Sequence, residues 1–147
     1  MLDEAMLESV TLHLIRPEDL NHHGTMFAGQ IAKWLIEAGL IAASKLVGKP
    51  EDVVCVQVNS LTFKKPLNNG DLIDIRSRIA YLGSTSITVH SEVFRKQDAV
   101  SVVSNMATFV TVNKQNEPYD HGFKLSEDYI AKNRDIYRAA LMTREAK

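Results

Sequence analysis

The chain has 147 residues, 45% of them hydrophobic and 24% charged, the balance of a globular domain long enough to bury one core. Its 17 Lys and Arg stand against 18 Asp and Glu, a net charge of −1, so no positive surplus exists to neutralise a nucleic-acid backbone, and polynucleotide partners are not expected. Cys55 is the only cysteine, which rules out an internal disulfide and a multi-cysteine metal site.

The opening MLDEAMLE puts acids where a secretion signal carries Lys or Arg, which points to the cytoplasm. Residues 10–15 alternate apolar and polar, as a half-buried strand does, until Arg16 and Pro17 end the pattern. A polar loop then feeds residues 25–47, where Phe27, Ile31, Trp34, Leu35, Ala38, Ile41 and Ala42 recur at helical spacing. Small residues fill the other faces, so the helix reads as central and buried nearly all round. Lys33 and Glu37 interrupt it, and no membrane span is expected.

Strands are expected at 53–63, 72–81, 86–95 and 100–112, joined as hairpins by turns at Asn69-Gly70 and Gly83-Ser84. Cys55, between Val54 and Val56, reads as a small core residue. An amphipathic helix at about 126–143 opens on Ser126, with Glu127 and Asp128 in its first turn. With no linker or repeat, residues 1–147 read as one α+β domain, an antiparallel sheet packed on one side against a long helix.

The chemistry concentrates at NHHGTMFAG, where Asn21 begins a loop into the helix start. Unpaired N–H groups there polarise a carbonyl or hold an anion, and Gly24, Ala28 and Gly29 allow close approach. Small residues also serve tight packing, and Asn21 also suits a capping role. Glu37, a carboxylate inside an apolar helix, is a candidate base or nucleophile, and equally a partner for Lys33 one turn earlier. His22 and His23 lack metal-ligand spacing, so no metal is expected. Lys64, Lys65 and the turn Gly83-Ser84-Thr85-Ser86 are candidate phosphate contacts, or ordinary solvated surface.

The loop and helix start N-H-x-G-T-x-F-x-G, the helix pattern W-x-x-E-A-G, the strand VQVNSLTFKKPLNNGD, the turn GSTS and the strand end ATFVTVN occur in an order that resembles the hotdog-fold acyl-CoA thioesterases. The resemblance implies a curved antiparallel sheet around a central helix and hydrolysis of an acyl-CoA to a carboxylic acid and free coenzyme A. It implies no cofactor beyond the coenzyme A of the substrate, and a homo-oligomer, a dimer or a dimer-based tetramer or hexamer, with each site shared between two chains. Ala28 and Gly29 would hold the oxyanion and Asn21 the thioester or water. His23, Gly24, Phe27, Lys64, Lys65, Gly83, Ser84, Thr85 and Ser86 would bind the substrate, with Asn59 where relatives often carry Asp. One departure bears on catalysis: Ile36 stands where many members carry an acid, and Glu37 lies about 100° further round the helix. A catalytically weak acyl-CoA binding module is therefore the alternative, and a hydratase built on Asp19-Leu20-Asn21 a third reading.

Overall fold

The computed structural model describes residues 2–145. Strand β1 (Glu8–Leu14) is followed by helix α1 (Ala28–Val47), strands β2 (Val53–Phe63), β3 (Leu72–Leu82), β4 (Ser86–Arg95) and β5 (Val100–Thr111), and helices α2 (Glu127–Lys132) and α3 (Arg134–Glu145). The five strands form one antiparallel sheet in the order β1-β3-β4-β5-β2. This is the α+β architecture expected from the sequence.

The expected meander differs at one joint. β2 pairs with β5 and lies at the sheet edge, so Asn69-Gly70 closes no hairpin between β2 and β3. Residues 64–71 cross instead beneath the start of α1. Leu67 is buried and its carbonyl accepts from Met26 N at 2.8 Å, while Gly70 N donates to Ile15 O at 2.8 Å. The asparagine-glycine turn serves this crossing, with Gly70 at a φ of 87° that a side chain resists.

Helix α1 packs Ile31, Trp34, Leu35, Ala38, Ala42 and Leu46 onto the sheet and stops where Gly48 takes a left-handed conformation, its N–H reaching Ser44 O. It is not buried all round. Gly29, Lys33, Glu37, Ile41 and Lys45, four apart, form an exposed stripe, because the sheet covers one side only. On the sheet face below, Ile73, Ile75, Val93 and Val103 meet the amino half of α1, and Ile79, Val89, Ala107 and Phe109 its carboxyl half.

Cys55 is exposed, contrary to its apolar setting, because β2 is an edge strand with little packed on either face; Val54, Val56, Val58 and Phe63 are exposed beside it. The segment expected as one carboxyl-terminal helix is two. Ser126 caps α2 by accepting from Tyr129 N at 3.1 Å, and the Tyr129 hydroxyl donates to Ile79 O at 2.6 Å. Asn133 then ends the helix: it is buried, its side chain donates back to Tyr129 O one turn earlier, and it accepts from Arg78 of β3, a bond supplied by the sheet. α3 lies on the sheet face away from α1, with Ala140 and Ile136 against Ala80 and Met106. Among the described residues no helix is long and apolar enough to cross a membrane.

Candidate active site

The loop before α1 is locked from inside. Asp19, 1% exposed, accepts from Arg16 N and from Gln30 Nε2, both at 2.9 Å, and its backbone carbonyl accepts from Phe27 N at 2.8 Å. A buried carboxylate is tolerated only when so bonded. Asn21 closes the next turn: its Oδ1 accepts from His23 N at 2.8 Å and Thr25 N at 3.2 Å, and its Nδ2 donates to Thr25 Oγ1 at 3.1 Å. Both ends of the Asn21 amide are thus used by its own loop. Gly24 completes the turn at a φ of 82°, and His23 is exposed.

The helix start is open. Phe27 is the N-cap and has no side-chain cap bond; its carbonyl accepts from Gln30 N at 3.1 Å and Ile31 N at 3.3 Å. The N–H groups of Ala28 and Gly29 precede these, find no acceptor among the described residues, and belong to exposed residues. The Phe27 ring folds over Gly29, so that a Cβ there would come within 2.9 Å of Phe27 Cζ. Beside this start lies a cavity of about 280 Å³ lined by Met26, Ile31, Phe63, Pro66, Leu67 and Val103, with Lys64 and Lys65 also bordering it. An uncapped positive helix end next to an apolar pocket suits a carbonyl whose oxygen gains charge and whose substituent is apolar.

Glu37 is exposed on α1 and makes no ion pair with Lys33. Its neighbourhood contains His13, which reaches from β1 to stack on Trp34 with ring centroids 4.1 Å apart. Burial holds the His13 imidazole below its usual value, and the charges of Glu37 and then Asp19 oppose that shift. In a single chain, therefore, Glu37 is neither the buried acid nor the ion-pair partner that the sequence allows.

The remaining candidates are not brought together within one chain. The Gly83 to Ser86 turn sits where Ser86 pairs with Val110, at the opposite end of β4 and β5 from Arg95 and Val100, the end at which α1 begins. Ten residues of β4 separate the ends by about 30 Å. The turn is also engaged: Gly83 N donates to Ser86 O, Ser84 O and Thr85 O accept from His121 N and Thr111 N, and Ser86 Oγ accepts from Arg144. Asn59 accepts from Thr108 Oγ1 at 2.8 Å, and Thr108 shares the face of Met106, turned from α1. Lys64 donates to Ser101 Oγ at 2.8 Å and pairs with Glu92 at 3.4 Å. Lys65 is exposed.

Sequence reasoning missed the loop anchors Asp19 and Gln30 and the His13–Trp34 stack. The one local signal was Pro17-Glu18-Asp19, a short turn whose acid bonds back to its own start; the stack joins distant segments and leaves no spacing to read. Among the described residues no three His, Cys, Asp or Glu form a metal-type cluster.

Residues 23–102 match the family model of the thioesterase superfamily, and the chain belongs to that family. The match begins just after Asn21. The chain is 30% identical over 107 residues to an uncharacterized acyl-CoA thioester hydrolase of Zymomonas mobilis, covering 69% of this chain and 70% of that protein. Across the first curated relatives it matches, it spans 57% to 70% of their length. An acyl-CoA hydrolase from Staphylococcus aureus, solved with butyryl coenzyme A and coenzyme A, shares the hotdog fold: 24% identity, TM-score 0.82, 97% of this chain and 85% of that chain. A hexameric thioesterase from Yersinia pestis is 28% identical with a TM-score of 0.69, covering 75% of this chain and 91% of that one.

Proposed function

We propose that this protein hydrolyses acyl-CoA thioesters to a carboxylic acid and free coenzyme A, as a cytoplasmic homo-oligomer built from dimers, one domain per chain, with no cofactor beyond the coenzyme A of its substrate. The observation that carries the reading is the uncapped start of α1: two exposed, unpaired N–H groups at Ala28 and Gly29 beside an apolar cavity. The thioester oxygen accepts from these groups, and the charge it gains as water adds to the carbonyl carbon is stabilised there. The C–S bond then breaks and the coenzyme A sulfur takes a proton. Glu37 is the proposed carrier, taking the proton from water and passing it to the sulfur. Asn21 holds the loop that shapes the helix start, and Lys65 meets a phosphate.

The dimer reading rests on the β2 edge. Strand β2 is 11 residues long, has no strand on its outer side among the described residues, and exposes Val54, Val56 and Val58, an edge that proteins seldom leave open. Antiparallel joining of two such edges turns the partner end for end. That brings its Gly83 to Ser86 turn to the sheet end where α1 of the first chain starts, resolving the separation found in one chain. The alternative, an acyl-CoA binding module with little turnover, is favoured by Ile36 at the usual acid position and by the full occupancy of the Asn21 amide. Incubation with short, long and aromatic acyl-CoAs and a thiol reagent separates the two: hydrolysis releases thiol, whereas saturable binding without release establishes the module.

A further inference from the structure

On the sheet face away from α1, the break between α2 and α3 roofs a polar cavity of about 470 Å³. Arg78 from β3 and His90 from β4 are half-buried in it, and Lys132 and Arg134 stand exposed around it. Arg78 is fixed by one bond, donated to Asn133 Oδ1 at 2.7 Å, which leaves most of its donors free. The His90 ring makes no hydrogen bond among the described residues. The first N–H groups of α3, at Arg134, Asp135 and Ile136, find no backbone carbonyl among the described residues, because Asn133 interrupts the helix before them. Two carboxylates border the cavity. Glu92 is occupied by Ser101 and Lys64, and Asp135 is exposed in the first turn of α3. Lys132 is paired with Glu4 at 2.9 Å, so among the described residues Arg78 and Arg134 are the cavity's cations without a carboxylate partner. Nothing in the thioesterase reading uses this cavity.

We propose that this cavity is a second ligand site, taking a phosphate group between Arg78, His90 and the start of α3. A guanidinium held by one side, an imidazole without a partner and a row of free N–H groups are each donors that a phosphate oxygen satisfies. Occupancy is coupled to protonation. Burial holds His90 below the usual imidazole value; Glu92 opposes this, and the charges of Arg78 and Lys64 add to it. Lys132, Arg134 and Asp135 face the same cavity from the helices. An anion arriving between Arg78 and His90 favours the charged ring, so binding takes up a proton and tightens as pH falls.

Calorimetric titration of the whole oligomer tests this with inorganic phosphate and with adenosine 3′,5′-bisphosphate, which separate free phosphate from a nucleotide as the source. Sulfate, whose charge is constant, serves for the comparison of about pH 8 with about pH 6. Saturable binding is expected, several-fold tighter for sulfate at the lower pH, with the His90 ring resonance shifting toward the protonated form. Arg78→Gln should weaken binding at least tenfold and Lys96→Gln, outside the cavity, less than twofold. Should Arg78→Gln fail to fold, Arg134→Gln at the exposed rim should still weaken binding several-fold. Absence of binding by all three anions, or binding that both arginine variants leave unchanged, overturns the proposal.

Discussion

Gly29→Ala separates chemistry from folding at the proposed oxyanion site. The added Cβ meets the Phe27 ring, with Cζ at 2.9 Å. Phe27 is 55% exposed, so its ring can swing away. Leaving its rotamer costs about 1 kcal/mol, and Ala in place of Gly within a helix returns roughly the same amount. The fold should therefore be unchanged within about 1 kcal/mol, a shift of only a few degrees in Tm. Activity should not survive so well, because the methyl and the displaced ring crowd the N–H of residue 29. Loss of one oxyanion donor costs about 100-fold to 1000-fold in kcat. Thiol release from an acyl-CoA together with a thermal melt measures both quantities. Wild-type kcat with a wild-type melt would remove the α1 start from the mechanism, whereas a collapsed melt would show that Phe27 cannot move and refute the packing argument.

Leu35→Ala, at a fully buried position on α1, should destabilise the fold by about 2–5 kcal/mol, read by urea denaturation; a smaller loss would mean that the core collapses around the gap. Val56→Lys puts a charge into the exposed β2 edge and should convert dimers to monomers in light scattering while the melt of the single chain persists; an unchanged mass would move the joint elsewhere. Because burial depresses His90, the unfolded chain binds its proton first as pH falls, so stability should decline below about pH 6.5. His90→Gln should flatten that decline, and an identical pH profile would contradict it.

Periodicity made the elements legible. Trp34, Leu35, Ala38 and Ala42 mark one face of α1, and alternation marks the strands, because these patterns follow directly from helix and strand geometry. Strand order was not legible in the same way: β2 pairs with β5 at sequence separations from 40 residues, at Phe63 and Val103, to 58, at Val53 and Thr111, and the Asn69-Gly70 pair reads identically in a hairpin and in a crossing. The exposure of Cys55 and Glu37 follows from that order and from what the sheet leaves uncovered. At the site, the helix start was visible in the run from Phe27 to Gly29, but the internal bonding of Asn21 and the distance to the Gly83 turn depend on closure of the whole fold. Asn133 broke a helix that its amphipathic pattern continues, because a buried side-chain bond to Arg78 outweighed local propensity.

Gly29 and Glu37 lie eight residues apart on α1, about 12 Å along its axis, too far for both to serve one carbonyl from a single chain, so the proposed thioesterase site takes the α1 start from one chain and Glu37 from the other. Gly29→Ala and Glu37→Gln should each be nearly inactive. When the two are dissociated, mixed in equal amounts and reassembled, about half the dimers should be mixed, each with one intact site and one doubly damaged site. Thiol release should then return to about a quarter of the wild-type rate. Recovery indistinguishable from either variant alone would contradict the account, since every site would then draw both groups from the same chain.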